Sequence, residues 1–203
     1  DQNKNFGKEA DQNLINDDDN QKSKWNYFKY DISGAYKEPV SAVLRIYGSI
    51  HAASSTAETF VFQIFTSDNT TWYEDSVTWA NKPAVNDVVM LTGSLARSGA
   101  WYDLSSPEFN NTIKQAVKDG KKYITLVAKG KDKTPGNRAW FSGREWRASM
   151  IKLNYEPQVE TPFFNPLPAE YIAEVETEIR CNTPNAAIYY TTDGSDPRNI
   201  GGQ

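Results

Sequence analysis

The 203 residues are 38% hydrophobic, 24% charged and 13% aromatic, and their formal net charge is −4. A single cysteine, Cys181, and a single histidine, His51, exclude an internal disulfide and a zinc site of the usual Cys/His kind. No apolar run approaches the roughly 20 residues of a membrane-spanning helix, whereas 6 Trp and 11 Tyr supply the large, partly polar surfaces that suit strands and sugars.

Charge is unevenly spread. Residues 1–20 carry six acids against two bases, residues 129–152 carry seven bases against two acids, and residues 157–203 carry seven acids against two bases. Residues 1–156 therefore sum to +1 and the remainder to −5, a step that marks a domain boundary and predicts a basic patch within 129–152. The N-terminus lacks the basic-then-apolar pattern of an export signal, and the polar start and loop-like end read as those of a fragment.

In chain order, residues 25–32 alternate, with Phe28, Tyr30 and Ile32 on one face and Tyr27 and Lys29 on the other. From Pro39 the same period sets Ala42, Leu44 and Ile46 against Val43, Arg45 and Tyr47. Further strands are predicted at 59–66, 87–91, 100–104, 123–128 and 149–155, with a strand around Phe141. The one helical segment is 106–119, with Ser105 or Ser106 as N-cap, Pro107 in the first turn, Gly120 past the end, and Phe109, Ile113 and Val117 along one stripe. Short strands with one helix and no βαβ rhythm predict an all-β fold, an antiparallel β-sandwich of jelly-roll type over residues 1–156. Residues 157–203, with strands expected at 175–181 and 187–192 and a turn at Thr192-Asp193-Gly194-Ser195, read as part of a second small β-sandwich.

Two segments resemble known families. Residues 27–34 and 41–46, the run Trp72-Tyr73-Glu74-Asp75-Ser76-Val77-Thr78-Trp79-Ala80-Asn81-Lys82-Pro83, and Phe141-Ser142-Gly143-Arg144-Glu145 are similar to the opening, central and late motifs of the DNRLRE-type sandwich domains classed as family-96 carbohydrate-binding modules. Lys24-Trp25 stands where that family often has an arginine. The run 187–197, Ala-Ile-Tyr-Tyr-Thr-Thr-Asp-Gly-Ser-Asp-Pro, resembles chitobiase/hexosaminidase C-terminal domains, which are commonly accessory modules of secreted bacterial polysaccharide-degrading enzymes.

Bases and aromatics interleave at Arg138, Trp140, Arg144, Trp146 and Arg147. Guanidinium groups bind carboxylate or sulfate bidentately, so Arg144 and Arg147 are candidate contacts to an acidic glycan. Lys29, Arg45 and Tyr47 would add to them from an open sheet face, and Trp25 or Trp146 would stack on the sugar. The competing reading is a solvated loop with one internal ion pair. Trp72, Trp79 and Pro83 read as a packed loop rather than a sugar platform. Asp17, Asp18 and Asp19 offer oxygen ligands for a structural calcium ion, against the alternative of a solvated turn. His51 sits in no catalytic pattern, and an acidic chain with no nucleic-acid motif argues against nucleic acid as the partner.

The expectation is a monomeric, non-catalytic carbohydrate-binding module of a secreted bacterial enzyme. Its catalytic domain, a polysaccharide lyase or glycoside hydrolase, would lie elsewhere in the parent chain, and the ligand would be an acidic polysaccharide such as alginate, pectin or a glycosaminoglycan. The alternative is a structural spacer or adhesion sandwich with no ligand.

Overall fold

The period-2 alternation of apolar side chains lays most of the chain into two facing layers. In the computed structural model, residues 3–6, 11–16, 23–51, 57–131 and 137–197 are described, apart from the side chains of Asp11, Arg144 and Glu145. The chain forms two compact units, Asp1–Tyr155 and Glu156–Gln203.

The strands of the first unit are β1 (Asp11–Ile15), β2 (Asn26–Asp31), β3 (Ser41–Ile50), β4 (Thr59–Ser67), β5 (Leu91–Ala96), β6 (Ala100–Leu104), β7 (Tyr123–Gly130), β8 (Arg138–Ser142) and β9 (Met150–Asn154). One antiparallel sheet has the order β1-β8-β3-β6 and the other β2-β7-β4-β5, so the chain passes repeatedly from layer to layer in the order of a jelly roll. β9 joins the first sheet on the same side of β3 as β8: β8 pairs with residues 48–50 and β9 with residues 41–45. Residues 143–149 leave the sheet between them and carry the one-turn helix α2 (Arg144–Arg147).

Leu44, Ile46, Phe62, Ile64, Leu126 and Phe141 fill the space between the layers and are fully buried. Phe141 of one sheet meets Phe62 and Phe28 of the other edge-on, at 5.1 and 6.0 Å between ring centroids. The helix α1 (Pro107–Lys118) closes one end of this core. The Ser106 hydroxyl accepts the Phe109 N–H at 3.0 Å and donates to the Met90 carbonyl, and Asn110 Oδ1 accepts the Ala42 N–H at 2.7 Å. Phe109, Ile113 and Ala116 are buried beneath it, and Val117 packs at its margin.

Three sequence expectations need correction. The strand expected at 87–91 begins only at Leu91, where Leu91, Gly93 and Leu95 turn inward against exposed Thr92, Ser94 and Ala96. Val88, Val89 and Met90 precede the strand, whose own inward positions include a glycine. β1 was missed because Asp-Gln-Asn precedes its two apolar residues, yet Leu14 and Ile15 are buried. In the second unit, residues 187–192 form no strand, and 175–181 shortens to β11 (Glu178–Arg180), paired with an unforeseen β10 (Phe163–Asn165). None of the described residues of this unit is buried, so strand propensity at 187–192 has no core to act on. The turn at 192–195 does form: Gly194 has φ of 80°, and Asp193 Oδ1 accepts from the Ser195 N–H and hydroxyl.

Gly93 is required by close approach. A Cβ there would stand 2.6 Å from Phe62 Cε1. Gly93→Ala is expected to lower the unfolding free energy by about 1–3 kcal/mol, measured by urea denaturation with the m-value unchanged. An unshifted midpoint would mean that the Phe62 ring moves aside freely.

Candidate functional site

The two outer faces of the sandwich differ. On the four-stranded sheet, Phe65 and Val127 point away from the interlayer core yet are buried, as is Thr125. The segment between β4 and β5 covers this face: Trp72 Nε1 donates to Thr125 Oγ1 at 3.0 Å, Thr125 Oγ1 donates to the Asn69 carbonyl, and the Tyr27 hydroxyl donates to the Pro83 carbonyl. Trp79 packs edge-on against Trp25 at 4.9 Å. The packed-loop reading of Trp72, Trp79 and Pro83 matches this arrangement. Lys82 and Lys129 stand over these rings, and burial pushes both ammonium groups below the usual lysine range, with the neighbouring Lys82 charge adding to the effect on Lys129 and Asp87 opposing it.

Among the described residues no long segment like that between β4 and β5 covers the outer face of the five-stranded sheet, where only the turn between β5 and β6 reaches over Ser49. Pairing of β3 with β6 and β8 places Trp140, Tyr47 and Trp101 in a row across three strands, Tyr47 lying 6.0 Å from Trp140 and 5.4 Å from Trp101. Two guanidinium groups lie on this row: Arg147 is 4.3 Å from the Tyr47 centroid and Arg45 is 5.0 Å from that of Trp101. Asp103 pairs with Arg45 at 3.2 Å and stands 3.8 Å from Lys152. Arg138 is exposed on the same face, two residues along β8 from Trp140. Among the described side chains, four cations thus share the face with the carboxylate of Asp103.

Of the sequence candidates, the structure brings together Arg45, Tyr47, Arg138 and Arg147. Trp146 is 73% exposed on α2, and the Arg144 side chain and Asp17, Asp18 and Asp19 lie outside the described residues. Among the described residues no group of three or more His, Cys, Asp or Glu is placed to hold a metal ion. Lys29 and Trp25 do not share the face of Arg45, because β2 and β3 belong to different sheets; alternation separates inward from outward without saying from which layer. Lys29 Nζ donates to the carbonyls of Thr70 and Trp72, clasping the covering segment. Both residues line a cleft of about 800 Å³ beside β2. Trp101 and Asp103 were missed as site residues, although alternation along Ala100–Leu104 already sets them opposite Tyr102 and Leu104.

Two predictions follow from the covered face and its edge. Lys29→Met removes both contacts to main-chain carbonyls and should cost about 1–3 kcal/mol of stability, read as a fall in Tm; an unchanged Tm would remove the clasp. Burial raises the Tyr27 and Tyr30 hydroxyls well above the usual phenol range, with the bond from Tyr30 to Ser149 acting weakly against it. Both keep their protons in the folded state at pH values where the unfolded chain has lost them. Stability from this source is intact below about pH 10 and falls above it, by up to about 1.4 kcal/mol per pH unit for each group. Urea unfolding between about pH 9 and 11 should show a shallower decline for Tyr27→Phe than for the parent; parallel declines would contradict the assignment.

Residues 1–155 match the family model described as Carbohydrate-binding module family 96. Residues 166–200 match that of the Chitobiase/beta-hexosaminidase C-terminal domain. No curated protein matches the chain.

Proposed function

We propose, from the premise that this chain belongs to carbohydrate-binding module family 96, that its open cationic face binds an acidic polysaccharide of alginate, pectin or glycosaminoglycan type. In this reading it serves as the accessory module of a secreted, multimodular polysaccharide-degrading enzyme whose catalysis falls to another domain. The match of residues 166–200 to a second domain type supports the multimodular part.

The observation that carries the anionic reading is the pair of guanidinium groups resting on Tyr47 and Trp101. A long cationic side chain ordinarily loses rotamer freedom when it grips a ligand, and a ring beneath it removes part of that loss in advance. The groups hold their donors over a flat surface, which suits a polymer that presents a carboxylate or sulfate on successive sugars. Asp103 balances Arg45 in the free protein, so a ligand anion competes there with one exposed carboxylate, and Arg147 is the stronger contact.

Affinity electrophoresis and calorimetry against alginate, pectin, chondroitin sulfate and heparin test the proposal. Binding should weaken as salt rises, since exposed charges are screened beyond about 8 Å at physiological ionic strength. Arg147→Ala should cost about 1.5–3 kcal/mol of affinity with Tm unchanged, and Arg45→Ala should cost less. Binding to none of these polymers would favour a spacer, and binding indifferent to salt and to Arg147 would place the ligand elsewhere.

A further inference from the structure

The cleft beside β2 differs in chemistry from the cationic face. Among the described residues β2 pairs only with β7, so one long edge of this strand is free, and side chains from both of its faces reach the opening. The opposite wall is Ser142, Gly143 and Ser149, the two ends of the excursion that separates β8 from β9. The third side is the covering segment at 72–77, held by Asn5, itself part of the lining, whose Nδ2 donates to the carbonyls of Glu74 and Val77. A volume of about 800 Å³ lies within the range of formed ligand pockets.

The lining alternates flat rings with hydrogen-bonding groups. Trp25, Trp72 and Tyr73 contribute aromatic surface, and Tyr73 is 70% exposed. Glu74 and exposed Asp75 contribute carboxylates. One ammonium group is present among the described lining residues, that of Lys29, and it is directed to the main-chain carbonyls of Thr70 and Trp72. Among the described lining residues the charged groups are two carboxylates against one ammonium, whereas cations predominate among the described residues on the outer face of the five-stranded sheet. A carboxylate accepts hydrogen bonds only. It receives sugar hydroxyls through charge-assisted bonds and repels a uronic-acid or sulfate group. A pyranose ring has the complementary form, with apolar C–H faces for the rings and a rim of hydroxyl donors.

We infer that this cleft is a second carbohydrate site, built for a short uncharged glycan segment and separate from the cationic face. The inference rests on membership of a carbohydrate-binding family and not on the anionic reading, so either can fail without the other. A module with both sites would hold a mixed polysaccharide, or two neighbouring chains, at two points, and the joint affinity would exceed that of either site alone.

The test uses the full 203-residue chain and a panel of neutral gluco-, manno-, xylo-, galacto- and chito-oligosaccharides. Binding is followed by calorimetry and by the indole N–H resonances of Trp25 and Trp72. At least one member should shift these two resonances while leaving those of Trp101 and Trp140 in place, with affinity insensitive to added salt. Tyr73→Ala, a change at an exposed ring, should weaken that binding about tenfold, the size of one aromatic contact. Asp75→Ala should weaken it severalfold, and Arg147→Ala should leave it unchanged. The site is wrong if no panel member moves the two resonances, if Tyr73→Ala binds as the parent does, or if Arg147→Ala or salt abolishes binding.

Discussion

The structure turns on how two phenylalanine rings are accommodated between the layers. Phe62 and Phe141 come from opposite sheets and meet edge-on at the centre of the core. Each occupies space that a glycine leaves vacant: Gly93 beside Phe62, and Gly48 with its absent Cβ 2.9 Å from Phe141 Cδ1. Close packing of this kind tolerates little change in volume, and it fixes the positions of β3, β4, β5 and β8 together. The aromatic row on the outside inherits that order, because Tyr47 precedes Gly48 and Trp140 precedes Phe141, each pointing outward from a strand whose next residue is locked inward.

The two outer faces of the same sandwich then meet different fates. The four-stranded sheet carries Phe65 and Val127 outward, an apolar pair that water would not leave uncovered, and the segment between β4 and β5 lies over them. The five-stranded sheet carries tryptophan, tyrosine and arginine outward, groups whose polar ends remain content in water. The open face is thus a consequence of composition strand by strand. The edge of β2, which among the described residues pairs only with β7, is a third surface, and its described lining carries two carboxylates against one ammonium group.

Much of this was legible in the sequence. Alternation identified the inward residues of β2 and β3, and Ser106, Pro107 and Gly120 framed α1 within a residue at each end. What sequence could not supply was the partnership between strands. Lys29 and Arg45 each read correctly as outward, yet their sheets face opposite ways. The basic cluster after Lys129 reads as one patch in the chain, but it is divided: Lys129 lies beneath the covering segment, and Arg138 and Arg147 on the open face. Tyr47 reads as one exposed tyrosine among many, and only the register against Trp101 and Trp140 makes it the middle of a row. The second unit shows the reverse limit, since strand-forming residues at 187–192 stay irregular where nothing packs upon them.

The excursion at 143–149 has a bearing on how such a module can diversify. β8 and β9 share one side of β3, and the chain between them leaves Ile46 and Tyr47 between the two ladders on that side. A change in length here alters neither ladder, because both are anchored independently, and it shifts no inward residue to the outside as a slip within a strand would. Yet this same stretch sets Arg147 over Tyr47 and supplies one wall of the cleft. Insertions and deletions at this one point can therefore retune two surfaces at once while the folding problem stays the same, which makes it the natural place to graft a new specificity.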